Sequence, residues 1–285
     1  MYLTHCPDFS LPQPEPCVIA MGFFDGVHIG HQQVIATAKK IAEKRKVKLA
    51  VMTFFPHPKE VLSHGKARMA YLTPIETKGE NFARLGVDKL YVIKFDMNFA
   101  ELSPKEFINK YVVGLGAVHV VAGFDFTYGY RGQGNMETIS ADGNGCFQVT
   151  TVSKLEHGGR KISSTLIREL LSKGDVGDIA PYLGDFYETR GEVLLYSRSQ
   201  KRGSLKAEIS TYPYYTLPAD GFYEIEAHVE NHVYHGVSHV RSKRGGSITM
   251  EIELFYLRKN IRDWTIKIKW LNRLSESKKV KMKAN

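Results

Sequence analysis

The first two-thirds of the chain alternates short apolar runs with longer stretches whose apolar residues recur at helical spacing. Cys17 to Phe24 (CVIAMGFF) has no polar break and predicts a buried strand. From Ile29 to Lys46 the apolar positions Val34, Ile35, Ala38, Ile41 and Ala42 lie three or four apart, with lysines between them, which predicts an amphipathic helix. Further strands are predicted over Lys48 to Phe55 (ended by Pro56), Lys89 to Phe95, Ala117 to Ala122 and Cys146 to Val152. Helices are predicted near Pro74 to Leu85 and Ser103 to Leu115, each opened by a Ser/Thr-Pro pair with Thr73 and Ser103 as N-caps. This succession predicts an α/β fold, a mostly parallel sheet with helices on both faces.

After Tyr182-Leu183-Gly184 the period changes. Short alternating segments run over Gly191 to Tyr196, Phe222 to Val229, Val233 to Val240, Ser247 to Tyr256 and Trp264 to Trp270. Turn residues separate them (Asp220-Gly221, Glu230-Asn231, Gly245-Gly246), which predicts a small antiparallel barrel or sandwich. The expected division is residues 1–186 and 187–285, with the tail Ser275 to Asn285 disordered for want of apolar periodicity.

Charge and cysteines refine this picture. Of the net +9, +7 lies from Tyr187 onward, where 18 Lys and Arg face 11 Asp and Glu. That excess either attracts phosphate-rich partners or is a solvated basic surface. No apolar run reaches membrane-spanning length, and the start lacks the basic and apolar regions of a secretory signal. Cys6, Cys17 and Cys146 are odd in number, far apart and without CxxC spacing; this argues against a disulfide framework or a structural zinc and predicts a cytoplasmic protein.

The strongest chemical signal is Gly22-Phe23-Phe24-Asp25-Gly26-Val27-His28-Ile29-Gly30-His31, where the first long helix follows the first of these strands. Ligands of open α/β sheets bind at such a turn, and glycines with free helix-start N–H groups suit phosphate. His28 and His31 share one helical face and can donate to phosphate oxygens. Two other readings stand beside this one: a metal held by the histidines with Asp25, or a turn needing Gly and Asp for geometry alone. A second signal, Lys161-Ile162-Ser163-Ser164-Thr165-Leu166-Ile167-Arg168, opens a helix ended by Gly174; hydroxyls, N–H groups and Arg168 make a polyphosphate clamp, though Ser-Ser-Thr is also an ordinary capping sequence. Thr53-Phe54-Phe55-Pro56-His57-Pro58 closes the second of these strands, and the polar stretch from there to Leu72, marked by Gly65, suits a mobile substrate loop. Gly123 to Gly129 (GFDFTYG) offers Phe124, Phe126 and Tyr128 to stack on a ring and Asp125 to orient a base or metal, or equally the aromatics to pack in a core. Neither GxxxxGK[ST] nor GxGxxG is present, which speaks against a P-loop enzyme and a dinucleotide-dependent dehydrogenase.

The four segments GFFDGVHIGH, TFFPHP, GFDFTYG and ISSTLIRELLSKGDV, in this order, resemble the bacterial FAD synthetases of the bifunctional riboflavin kinase/FMN adenylyltransferase family. The resemblance implies a Rossmann-like HxGH nucleotidyltransferase domain followed by a riboflavin-kinase-like barrel, transferring AMP from ATP to FMN to give FAD and pyrophosphate. It implies catalytic roles for His28, His31 and Arg168, and ATP contacts from Gly22, Phe23, Phe24, Asp25, Gly30, Asp125, Ser163, Ser164 and Thr165. It further implies FMN contacts from Phe55, Pro56, His57, Pro58, Phe126 and Tyr128, with Mg²⁺ held mainly through phosphates and no protein metal cage. At Leu166 many relatives carry Arg, so one phosphate contact is lost here.

The second domain departs from that family. The family's LGFPTAN-like segment aligns with Arg202-Gly203-Ser204-Leu205-Lys206-Ala207-Glu208-Ile209, so Lys206 stands for the Thr and Glu208 for the Asn. Leu217 to Tyr223 (LPADGFY) keeps the LPxxGVY pattern, Glu251 falls at the position of the kinase base, and Val240 to Ser247 lacks the Arg-Pro-Thr pattern. The expectation is an adenylyltransferase without riboflavin kinase activity. The alternatives are a working bifunctional enzyme and a basic barrel serving as an RNA-binding or regulatory module.

Overall fold

The computed structural model describes residues 2–5, 14–63, 66, 68–199, 203–211, 215–230, 232–242, 248–255 and 265–275. Cys6, Gly65, Asn231, the Gly245-Gly246 turn and the tail beyond Ser275 lie outside the described residues. By contacts the chain divides into two compact units, residues 1–69 with 74–162, and residues 70–73 with 163–285.

The first unit is built on six parallel strands. β1 (Tyr2–His5), β2 (Cys17–Met21), β3 (Lys48–Phe55), β4 (Lys89–Lys94), β5 (Ala117–Gly123) and an edge strand Gln148–Val152 stand in the order β1-β4-β3-β2-β5-edge. Both faces are covered, which is why the strand sequences read as unbroken apolar runs. Cys17, Ile19 and Met21 point into one core cluster with Phe107, Tyr111 and Val120; Val18 and Ala20 point into the other with Val34, Ile35 and Phe82. The long helix α1 (Ile29–Arg45) lays Val34, Ile35, Ala38 and Ala42 on the second cluster and ends at Lys46 in the left-handed conformation. The connection from β2 runs to its neighbour β3, while β5 pairs with β2 on the other side. This makes the end of β2 a topological switch point, the place where open α/β sheets bind ligands.

Two local expectations need correction. Ser103 caps its helix as expected, with a reciprocal Glu106 bond, but only Pro104–Phe107 is α-helical; Ile108–Val113 widens into a π-helix that gives Ile108, Tyr111 and Val112 to the core. Thr73 does not stand at the N-cap position: the helix α3 (Ile75–Arg84) has Pro74 there, with no side-chain bond from Pro74.

The second unit opens with a ten-residue helix, Ser164–Lys173, closed by Gly174 at φ 82°. A closed six-stranded antiparallel barrel follows: Tyr187–Ser199, Ser204–Thr211, Gly221–Val229, His232–Ser242, Ile248–Leu254 and Thr265–Leu274. The strand Ser204–Thr211 is not among the expected ones. Tyr223, Ile225 and Ala227, Ile252, and Ile268 and Trp270 alternate inward and are almost wholly buried. Trp270 satisfies its indole N–H on the Thr189 hydroxyl at 3.0 Å.

Candidate active site

Three adjacent parallel strands deliver three of the sequence-predicted segments to one edge of the sheet. Gly22 to Asp25 follows β2, Pro56 to Pro58 follows β3, and Phe124 to Tyr128 follows β5. The turn after β2 is backbone-strained. Phe24 and Val27 hold φ of 54° and 44°, the second a conformation that β-branched residues rarely adopt. The glycines are there for close approach. A Cβ on Gly22 would come within 2.9 Å of the Phe24 ring, and one on Gly30 within 3.1 Å of the His28 ring.

His28 is the N-cap of α1, and its side-chain Nδ1 accepts the His31 backbone N–H at 3.2 Å. A ring nitrogen that accepts has no proton, so in the neutral imidazole the hydrogen sits on Nε2, which is left to donate. The His31 ring stacks on that of His28 with centroids 3.5 Å apart and 16° between the planes. Its Nδ1 is buried without a hydrogen-bond partner among the described residues. Burial pushes the His28 pKa down to about 4, against a weaker upward pull from its own backbone carbonyl and then from Asp125 and Asp25. Burial, then His28 and Lys78, hold that of His31 well below the ordinary histidine value. Two neutral imidazoles are therefore presented at pH 7.

These shifts have a stability consequence with a definite sign. Below pH 6.5 the unfolded chain takes up a proton that folded His28 refuses until about pH 4. Stability that is complete above pH 6.5 is thus lost as the pH falls through that window. Urea denaturation at pH 7 and pH 5 should differ by on the order of 2 kcal/mol from His28 alone, with a smaller difference in His28→Asn.

Around this pair the other segments take their places. Buried Asp25 is 4% exposed, and Lys78 of α3 is 2% exposed with its Nζ donating to the Phe23 carbonyl at 2.8 Å. The Thr53 hydroxyl donates to the same carbonyl at 2.9 Å. His57 caps the short helix α2 (Pro58–Leu62), accepting from the Lys59 N–H at 3.0 Å, and its ring meets the Phe23 ring edge-on at 4.4 Å. Phe55 and Pro56 are half-buried beside it. Phe124 is exposed, with the Lys161 ammonium 4.7 Å from its ring centre, and Lys161 pairs with Asp125 at 2.7 Å. Phe126 is half-buried, but Tyr128 is inside the core at 5% exposure, donating its hydroxyl to Asp142 at 2.6 Å.

The second unit carries the remaining predicted residues. Ser163 caps the helix Ser164–Lys173 by accepting the Leu166 N–H at 3.2 Å. Ser164 and Thr165 occupy the first turn, half-buried and exposed respectively. Arg168 donates from Nη1 to the Thr216 hydroxyl at 2.9 Å, and that hydroxyl donates on to the Ala70 carbonyl. Leu166 is buried.

Residues 10–166 match the family model described as FAD synthetase. Over 289 residues the chain is 40% identical to a bifunctional riboflavin kinase/FMN adenylyltransferase of Bacillus subtilis, covering 98% of this chain and 90% of the relative. The chain belongs to the FAD synthetase family. An FAD synthetase of Listeria monocytogenes is 31% identical over 233 residues, 81% of this chain and 89% of that one. The crystal structure of a macrolide-efflux protein from Streptococcus pneumoniae superposes with a TM-score of 0.87 at 27% identity, covering 99% of this chain and 96% of that one. As an FAD synthetase the chain is a nucleotidyltransferase that adenylylates FMN. Among the described residues no helix is long and apolar enough to cross a membrane.

Sequence reasoning missed Lys78 as a neighbour of the FAD synthetase site, and gave no role to Thr53 or Lys161, which stand at the starts of two of its motifs. The signal for Lys78 is present in the chain. Ile75, Lys78, Phe82 and Leu85 form a 3-4-3 stripe on α3, and a lysine in an apolar stripe is a buried lysine.

Proposed function

We propose that the histidine turn binds the ATP phosphates and that the adenylyl transfer runs on two neutral imidazoles. The observation that carries this reading is the His31 N–H bond to His28 Nδ1, which leaves His28 Nε2–H as the donor. The FMN phosphate is already ionised near neutral pH, so no general base is required. One of its oxygens forms a bond to the α-phosphorus of ATP as the bond to the β-phosphate bridging oxygen breaks, and pyrophosphate leaves with that electron pair. His28 and His31 donate to the oxygens on which charge grows, with Gly22, Phe23, Phe24, Asp25 and Gly30 shaping the approach. Ser163 fixes the helix start from which Ser164, Thr165 and Arg168 clamp the β- and γ-phosphates. Phe124 and Asp125 take the adenine side, while Phe55, Pro56, His57, Pro58 and Phe126 form the flavin side. Tyr128 supports Phe126 from behind.

Mg²⁺ held through the phosphates would neutralise charge on the leaving group. The ion's ligands would come chiefly from the ATP phosphates, with Asp25 of the histidine turn the carboxylate we assign beside it. The free thiols of buried Cys17 and exposed Cys146 suit a reducing cytoplasm, where we place the protein.

We further propose that the barrel has no riboflavin kinase activity. The barrel carries a cleft of ≈ 440 Å³ lined by Lys206, Glu208, Glu251, Glu253, His239 and Arg241, among others. Glu208 stands directly opposite Glu251, and Lys206 opposite Glu253, on paired antiparallel strands. Lys206 and Glu208 thus stand where the resemblance sets a Thr and an Asn for ATP, and each faces a further carboxylate, Glu253 and Glu251. The near full-length match to a bifunctional relative favours the opposite reading. Incubation with riboflavin, ATP and Mg²⁺ decides between them: riboflavin should remain unchanged, and its conversion to FMN would mean the kinase works.

A further inference from the structure

Lys78 places a buried ammonium beside the histidine turn, and the transfer proposed above assigns it no task. It costs the fold something to keep. A cation 2% exposed, set against a carbonyl and an aromatic ring, has lost most of its hydration. Its Nζ lies 2.8 Å from the Phe23 carbonyl oxygen and 4.5 Å from the centre of the Phe23 ring. That oxygen also receives the Thr53 hydroxyl at 2.9 Å. A single neutral donor would suffice to satisfy the carbonyl, so the ammonium is surplus to the needs of folding.

What the pairing does achieve is orientation. Across a planar trans peptide the C=O and N–H point in opposite directions. Two donors on the Phe23 oxygen, one of them charged, therefore fix the Phe24 N–H to point the other way and polarise it as a donor. The charged groups facing the ammonium are Asp25 on the same turn, which favours its protonated form, and the His31 ring on α1, which feels it as a neighbouring positive charge.

We infer that Lys78 is a positioning residue for the adenylyl transfer: its buried ammonium pins the Phe23–Phe24 peptide as a phosphate-facing donor and places a positive charge behind two uncharged histidines. The neutral imidazoles donate hydrogen bonds to the phosphates, and Lys78 supplies charge that does not depend on their protonation. This inference rests on the reading of the histidine turn as the phosphate site. Lys78 also titrates in an accessible range, since burial brings it down to about 8 from the ordinary 10.5. Its charge is present at pH 7 and is lost above pH 8.

The experiment compares wild type with Lys78→Met, an apolar side chain of similar length that leaves Thr53 on the carbonyl. The expected Lys78→Met protein melts at a higher temperature at pH 7, because a buried charge is gone, yet its kcat for FAD formation is lower by about 100-fold. In wild type, kcat/KM for ATP should decline between pH 7.5 and 9, and Lys78→Met should lack that decline. A variant that melts lower but keeps kcat and the alkaline limb would make Lys78 purely structural and overturn the inference. Should Lys78→Met not fold, the wild-type profile still decides, because a flat kcat/KM up to pH 9 contradicts it. If the wild-type protein makes no FAD from FMN at any pH, the reading of the turn itself fails, a result distinct from an active enzyme indifferent to Lys78.

Discussion

Replacing His28 with Asn should give a folded protein whose kcat for FAD formation is lower by about 10²–10³-fold. The two functions of the wild-type ring are separable. Its Nδ1 caps α1 by accepting the His31 N–H, and its Nε2–H is the donor assigned to phosphate. Asn is among the best capping residues, so the His28→Asn variant retains the first function and loses the second. His28→Ala loses both, and should be about 1 kcal/mol less stable than His28→Asn while being no more active. Urea titrations and steady-state kinetics on the two variants make the comparison. Equal activity in wild type and His28→Asn would show that the residue is a cap and nothing more.

Arg168→Lys should lower kcat/KM for ATP by about 100-fold, with Arg168→Ala no better. A guanidinium reaches two acceptors in a fixed fork, whereas an ammonium cannot hold the Thr216 hydroxyl and a phosphate oxygen in the same geometry. The barrel should be unaffected, because Thr216 keeps its own bond to the Ala70 carbonyl and Tyr187 its bond to the Thr216 carbonyl. Retained activity in Arg168→Lys with unchanged ATP affinity would remove Arg168 from the phosphate clamp. Buried Leu166 offers no replacement, so the loss should not be masked.

Much of this arrangement is legible in the sequence because it rests on uninterrupted patterns. β2, α1 and β3 can be read to within a few residues, since a parallel strand buried on both faces has no polar break and α1 carries a complete apolar stripe. The barrel strands are legible from alternation, though Tyr187–Ser199 reads as only Gly191 to Tyr196, its two ends going unread, and the bulge after Val193 breaks the period within it. Ser204–Thr211 stands out for its motif rather than its alternation, although Leu205, Ala207 and Ile209 alternate inward. β1 escapes notice because Tyr2–His5 is too short and mixed to show a period. The extent of the π-helix and the burial of Tyr128 depend on tertiary packing that no local pattern records. The histidine pair is legible as a motif, but its neutrality is not. That follows from burial and from a cap bond, both of which exist only in the folded chain.

The most direct test of the account is incubation of the purified protein with FMN, ATP and Mg²⁺, with flavins separated by chromatography and pyrophosphate measured in parallel. The account predicts FAD and pyrophosphate in equal amounts, with no requirement for riboflavin. FMN recovered unchanged, with no pyrophosphate released, would contradict it.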